Sequence, residues 1–278
     1  MRSFSLVCIS ALTLFLPALA KADVTEREVD YTLADGTPAT GWLYHNDDFD
    51  GDQPGVLVIP EWWGLTDYPK MRAKQLAEEG YVAFVADMYG RGQTTDDPSQ
   101  ASEWSTKANE TGLAELAKPA LEQLKQAEGV DAGNLAAIGF CFGGSTVVDM
   151  AKSDYAGDLK GVVSFHGGLS VDAAPGERSQ YSGPAMLILH GSADPFVPND
   201  RFGEFVQRCI DTGVALTVAT FPGAKHAFSN PDATAMAEKT GMNGIGYDED
   251  AEKASVEMMF DFLELQVGEP GDHDEDDD

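Results

Sequence analysis

Leu135-Ala-Ala-Ile138-Gly139-Phe140-Cys141-Phe142-Gly143-Gly144-Ser145-Thr-Val-Val-Asp-Met150 is the stretch that decides how this chain is read. Leu135 to Ile138 is a short apolar run, the pattern of a strand buried on both faces. Ser145 to Lys152 continues as a helical pattern. Between them lies Gly-x-Cys-x-Gly, a spacing that sets a nucleophile on a sharp strand-to-helix turn. The flanking glycines let strand and helix backbones approach where a Cβ would clash. The Cys141 thiol then projects beyond the strand end, beside a helix N-terminus whose dipole favours thiolate over thiol. The backbone N–H of Phe142 is placed to donate to an oxyanion. Taken alone, the stretch also fits a Gly-rich packing turn around a buried cysteine.

Two more stretches add the partners a thiol nucleophile needs. Leu187-Ile-Leu-His190-Gly-Ser-Ala-Asp194 is a strand running into a turn, with Asp194 just past its end. Phe221-Pro-Gly-Ala-Lys-His226 puts a histidine in the loop after the next strand. By itself Asp194 could be a helix cap or turn residue, and His226 an ordinary loop histidine. The order nucleophile, acid, histidine at successive strand ends is the order of a Cys141–Asp194–His226 triad. In that reading Cys141 attacks an acyl carbonyl, His226 moves the proton, and Asp194 orients the imidazole. His45, His166 and His190 occur singly near strand ends, and core or surface placement is the default for each. No HExxH, CxxC or Walker loop occurs in the sequence, so metal and nucleotide chemistry have no motif behind them.

Around these stretches, apolar runs alternate with longer helical patterns. Strands are expected at Val24 to Leu33, Ala39 to Tyr44, Val56 to Ile59, Val82 to Ala86, Leu135 to Ile138, Val162 to Phe165, Met186 to Leu189 and Leu216 to Thr220. Helices are expected at Leu65 to Glu79, Pro98 to Asn109, Leu113 to Ala127, Ser145 to Lys152, Asn199 to Asp211 and Glu252 to Leu265. The first two strands read as a hairpin around Asp35-Gly36 at one sheet edge. Alternation of this kind gives an α/β fold: one domain with a mostly parallel sheet and helices on both faces.

Composition excludes several functions. The 278 residues carry 47 acidic and 18 basic side chains, a formal charge of −29. Such a surface repels phosphate backbones and anionic lipid, so nucleic acid is not an expected partner. Arg2, the apolar stretch Phe4 to Leu16 and the small-x-small sites Ala18-Leu19-Ala20 and Ala20-Lys21-Ala22 read as a signal peptide over residues 1–22. Export to a bacterial periplasm is therefore expected, with no membrane anchor after processing. Cys8 lies inside the apolar run, away from the position of a lipidated cysteine. Removing the segment leaves Cys141 and Cys209, which could pair in an oxidising compartment; Cys209 in an amphipathic helix reads as a buried thiol. The folded domain is expected over residues 23–267. Residues 268–278, seven of them acidic, read as a disordered solubilising tail.

Pro60-Glu61-Trp62-Trp63-Gly64, Asp87-Met-Tyr-Gly-Arg-Gly92, Gly139-Phe-Cys-Phe-Gly-Gly144, His190-Gly-Ser-Ala-Asp194 and Ala224-Lys-His-Ala-Phe228 together resemble the dienelactone hydrolase family of α/β-hydrolases. The resemblance runs from about Val24 to Leu265. It implies an α/β-hydrolase fold of about eight strands, a monomer, no cofactor, and a small ester or lactone substrate. It also implies further roles. Glu61 matches a glutamate that contacts the resting thiol until substrate displaces it. The Trp62 N–H matches the second oxyanion donor beside that of Phe142. Arg91 matches an arginine that binds a substrate carboxylate. Trp63, Tyr89 and Phe228, with Trp62, are expected as apolar pocket walls, some of which could be core. One position departs from the family: Asn230 stands where a second arginine is expected, and an amide does not replace a bidentate guanidinium. Dienelactone itself is thus a doubtful substrate. A thioesterase, peptidase or acyltransferase on the same triad, or a ligand-binding protein on the same fold, are the rival readings.

Overall fold

A computed structural model describes residues 24–170, 172, 174–175 and 181–271. The expected signal peptide and cleavage sites lie outside these residues, as do Cys8 and the tail beyond Gly271. Eight strands form one sheet: Val24–Thr32 (β1), Pro38–Asn46 (β2), Gln53–Ile59 (β3), Val82–Val85 (β4), Val130–Phe140 (β5), Gly161–Phe165 (β6), Ala185–Gly191 (β7) and Leu216–Phe221 (β8). Their spatial order is β1-β2-β4-β3-β5-β6-β7-β8. β1 pairs antiparallel with β2, and β2 antiparallel with β4; the other pairs are parallel. The hairpin thus forms one edge, as the Asp35-Gly36 turn predicts.

Seven helices complete the described fold: Asp67–Glu78 (α1), Pro98–Thr111 (α2), Leu113–Lys125 (α3), Phe142–Met150 (α4), Asn199–Thr212 (α5), Ala233–Thr240 (α6) and Glu249–Val267 (α7). The residues of β3 show why the sheet is covered twice. Val56 and Val58 pack into a core with Leu76 of α1 and Leu263 of α7. Leu57 and Ile59 point the other way, into a core with Leu121 of α3, Val147 of α4 and Phe205 of α5. This is the period-2 alternation of a strand with apolar neighbours on both faces. Among the described residues no helix is long and apolar enough to cross a membrane.

Several element boundaries differ from the sequence expectation, β3 and α7 each starting three residues earlier, and three further elements are instructive. β5 starts five residues earlier, at Val130, although Asp131, Gly133 and Asn134 are polar or small. That half pairs with Gln53 and Pro54, and the register shifts between Pro54 and Gly55 to accommodate it. α4 starts at Phe142, directly on the nucleophile turn, because Gly143 and Gly144 are helical rather than helix-breaking. α6 was not expected; of its eight residues only Ala233 is buried, so it carries no apolar stripe to read. At the C-terminus, packed chain runs past Val267. The Gly271 N–H donates to Gln53 Oε1 at 2.7 Å, so the segment read as a tail is partly docked.

The sheet places the site. The chain runs from β3 outward to β4, then returns to lay β5 on the other side of β3. The strand order therefore reverses between β3 and β5, and ligands of open α/β sheets bind beyond the carboxyl ends of strands at that reversal. Glu61 follows β3 and Cys141 follows β5.

Candidate active site

Cys141 sits at φ 55°, ψ −112°, outside the regions an L-residue normally occupies. The neighbours leave that turn no alternative. A Cβ on Gly139 would meet the Gly143 carbonyl oxygen at 2.1 Å, and one on Gly143 would meet the Ile59 carbonyl oxygen at 2.3 Å. Both glycines are therefore dictated by backbone-to-backbone packing. The Cys141 N–H is tied to the Phe165 carbonyl at 3.0 Å and to His166 Nδ1 at 3.1 Å. Phe142 is the first helical residue, so its N–H has no partner within α4.

The loops after β7 and β8 bring the other two residues to the same place. Asp194 Oδ1 accepts from the N–H groups of Phe196 (2.8 Å) and Val197 (3.2 Å), which fixes its carboxylate. Its Oδ2 lies 2.6 Å from His226 Nδ1. That contact leaves Nε2 as the free ring nitrogen, and His226 shares the cavity lining with Cys141. The His226 loop is held in turn by the 242–246 segment: its N–H donates to the Gly244 carbonyl and its own carbonyl accepts from Gly246. Burial opposes the charged imidazole, yet the Cys141 sulfur and Asp194 outweigh it and raise His226 to about 10. Asp194 is held below the usual carboxylate range: burial works against this, and the His226 hydrogen bond and the two N–H groups prevail. Both cysteines are free, and Cys209 is buried in α5.

Over Cys141 lies a cavity of about 260 Å³. Its lining includes Glu61, Trp62, Trp63, Phe142, Phe196, His226, Met242 and Ile245. A larger cavity of about 350 Å³, beside Arg27, His45 and Glu128, lies at the opposite, N-terminal end of the strands and holds none of the candidate residues. Glu61 is 1% exposed and its Oε2 accepts from Asn230 Nδ2 at 2.6 Å. In this structure its hydrogen-bond partner is thus Asn230, not the thiol. Burial pushes the Glu61 carboxyl up to about 7, against the opposing Asn230 bond and the His226 charge.

The family sequence profile matches residues 40–266. The chain belongs to the dienelactone hydrolase family. A solved dienelactone hydrolase-like promiscuous phosphotriesterase from metagenomic libraries is 32% identical, covers 88% of this chain and 99% of its own, and superposes with a TM-score of 0.79. A protein of Aquifex aeolicus (strain VF5) named "Putative carboxymethylenebutenolidase" is 30% identical over 184 residues, 64% of this chain and 77% of its own. A thermophilic esterase of Thermogutta terrifontis, 18% identical over 93% of this chain and 97% of its own, shares the fold at a TM-score of 0.60. This family member is a carboxylic ester hydrolase.

In this hydrolase three expected binding residues lie elsewhere. Arg91 is exposed and does not line the cavity. Its loop is organised by Asp87, whose carboxylate accepts from the N–H groups of Thr40, Tyr89, Gly90 and Gly92. Arg91 sits on that loop at φ 59° with its side chain exposed. Tyr89 is outside the lining but borders it: its hydroxyl donates to the Trp62 carbonyl at 3.1 Å and its ring packs on Phe142 and Trp104, where burial and then the charge of the nearby Cys141 thiol raise the phenol. Phe228 is fully buried against Phe221 and His166, in the core. Trp62 and Trp63 do line the cavity, packed edge to face at 4.9 Å.

His166 makes a contact to the Cys141 backbone that the sequence spacing left silent. It is buried at φ 41°, and its Nδ1 accepts the N–H of Cys141 itself. An imidazole accepting at Nδ1 must be neutral and carry its proton on Nε2. Nε2 lies 2.8 Å from Ser229 Oγ, which lies 2.7 Å from the Tyr68 hydroxyl. Burial, with help from the His226 charge, holds His166 well below the ordinary histidine range, which keeps that acceptor available. The usable signal was its position one residue past a buried strand beside the nucleophile strand.

Proposed function

We propose that this hydrolase cleaves small carboxylic esters or lactones through a thioester on Cys141. The observation that carries the reading is the Asp194–His226 hydrogen bond behind a cavity that His226 and Cys141 line together. Cys141 Sγ attacks the acyl carbon as the C=O π pair moves onto oxygen. The oxyanion is met by the N–H groups of Phe142 and Trp62. Collapse breaks the C–O bond, and His226 gives its proton to the leaving oxygen. Water then attacks the thioester while His226 takes a proton from it, and the thiolate departs as the acid forms. Asp194 keeps the imidazole in the required tautomer and stabilises its cation throughout.

The test uses p-nitrophenyl acetate. Cys141→Ala and His226→Ala are each expected to lower kcat/KM by about 10³-fold or more while the melting temperature stays within about 3 °C of wild type. Intact-mass spectrometry of wild type quenched during turnover should show one acetyl group, absent from Cys141→Ala. Undiminished turnover in Cys141→Ala overturns the assignment.

A further inference from the structure

We propose that this site takes acyl groups that carry no charge, and that the Asn230–Glu61 pair sets that selectivity. The inference rests on the hydrolase reading above and narrows its substrate class. Among the described residues, the cavity lining contains no lysine or arginine. Its large walls are Trp62, Trp63, Phe142, Phe196, Met242 and Ile245. The neutral side chains Ser105, Asn109 and Ser145 complete the rim with hydrogen-bonding groups but no positive charge. The one buried carboxyl in the lining, Glu61, is met by an amide, which supplies a hydrogen bond and no positive charge.

Among the described residues, two guanidinium groups on neighbouring elements are committed elsewhere. Arg91 points to solvent. Arg72 is buried on α1, but its Nη2 is taken by the Ser229 carbonyl and by Glu252. His226 is engaged with Asp194 and Cys141. A carboxylate on the acyl chain would therefore lose hydration, meet no cation among the described lining residues except a His226 already shared by Asp194 and Cys141, and face Glu61. An uncharged acyl chain of the same length loses little on entering and buries apolar surface against the tryptophans.

The experiment compares p-nitrophenyl butyrate with mono-p-nitrophenyl succinate. The two share a leaving group and an acyl length and differ in one carboxylate. Wild type should favour butyrate by at least about thirtyfold in kcat/KM, the order expected for one uncompensated buried charge. Asn230→Arg restores a cation beside Glu61 and should narrow the ratio about tenfold or more. Glu61→Gln keeps the Asn230 hydrogen bond and removes the charge. It should narrow the ratio as well, which keeps the test alive if the arginine variant does not fold. A wild-type ratio within about threefold, or a ratio unmoved in the folded variants, overturns the proposal while leaving the hydrolase reading intact. If neither ester acylates Cys141 by intact mass, the hydrolase reading falls and takes this one with it.

Discussion

Asp87 and Glu61 are both carboxyls at the ends of neighbouring strands, and each is 1% exposed. They live in opposite surroundings. Asp87 accepts four backbone N–H groups and spends its whole capacity on shaping the 87–92 loop. Glu61 has one hydrogen bond among the described residues, from an amide, and borders an apolar cavity. A satisfied buried carboxyl is a piece of architecture; an under-satisfied one is kept at a cost, and such costs gather at functional sites. The same contrast separates two strained residues. Cys141 and Arg91 have nearly equal φ, 55° and 59°, yet one faces the cavity and the other faces solvent. Strain marks a turn that its surroundings over-determine, not a reactive side chain.

The contrast breaks if Asp87 proves dispensable. Asp87→Ala strands four N–H groups and should cost about 4 kcal/mol at about 1 kcal/mol per lost bond, lowering the melting temperature by roughly 8–16 °C. Calorimetry reads this directly, and an unchanged melting temperature would mean the loop holds itself.

Glu61→Gln should act with the opposite sign. Because burial raises the folded carboxyl to about 7, the fold favours its protonated form. Wild type carries no penalty below the unfolded value near 4.5, and the whole penalty above pH 7. The glutamine variant should therefore gain up to roughly 3 kcal/mol over wild type at pH 8, with no gain at pH 4. Urea melts at the two pH values check the sign; a loss at pH 8 would place Glu61 with Asp87 as architecture.

His166 sharpens the comparison, since it is fully hydrogen-bonded yet touches the nucleophile's backbone. His166→Phe removes the acceptor and should lower kcat on p-nitrophenyl acetate by about 10- to 100-fold, the order of one lost buried hydrogen bond, with KM little changed. His166→Asn, which can return an acceptor to the Cys141 N–H, should recover part of that loss. Equal damage in both variants would reduce His166 to packing. Smallest of all is Arg91→Ala: its kcat/KM on either p-nitrophenyl ester above should stay within about twofold of wild type, because the side chain ends in solvent. A larger drop confined to the succinate ester would return Arg91 to the site.

What the sequence made legible follows from the range of the interactions involved. Apolar runs such as Val56 to Ile59 report burial on both faces of a sheet by themselves. The Gly139–Gly143 spacing reports a backbone contact that any side chain would break. The walls Phe196, Met242 and Ile245 come from loops, where no periodicity exists to read. Arg91 was misplaced for a related reason. The motif around it is held by Asp87, and the direction of the following side chain depends on which N–H groups that carboxylate collects. Phe228 stands two residues after His226 and reads equally as wall or core. The local sequence is silent on which, because the choice is made by Phe221 and His166 from other strands.

The uncompensated carboxyl of Glu61 also bears on which way the reaction runs. Hydrolysis of an uncharged ester creates a carboxylic acid, which ionises in neutral solution. The product is then an anion in a cavity whose described lining holds one carboxyl and no cation beyond a His226 already shared by Asp194 and Cys141. Repulsion that is absent while the ester binds switches on once the bond is cut. Under the proposed selectivity, the pocket that admits the substrate would expel what it makes, favouring turnover over product inhibition and disfavouring resynthesis of the ester.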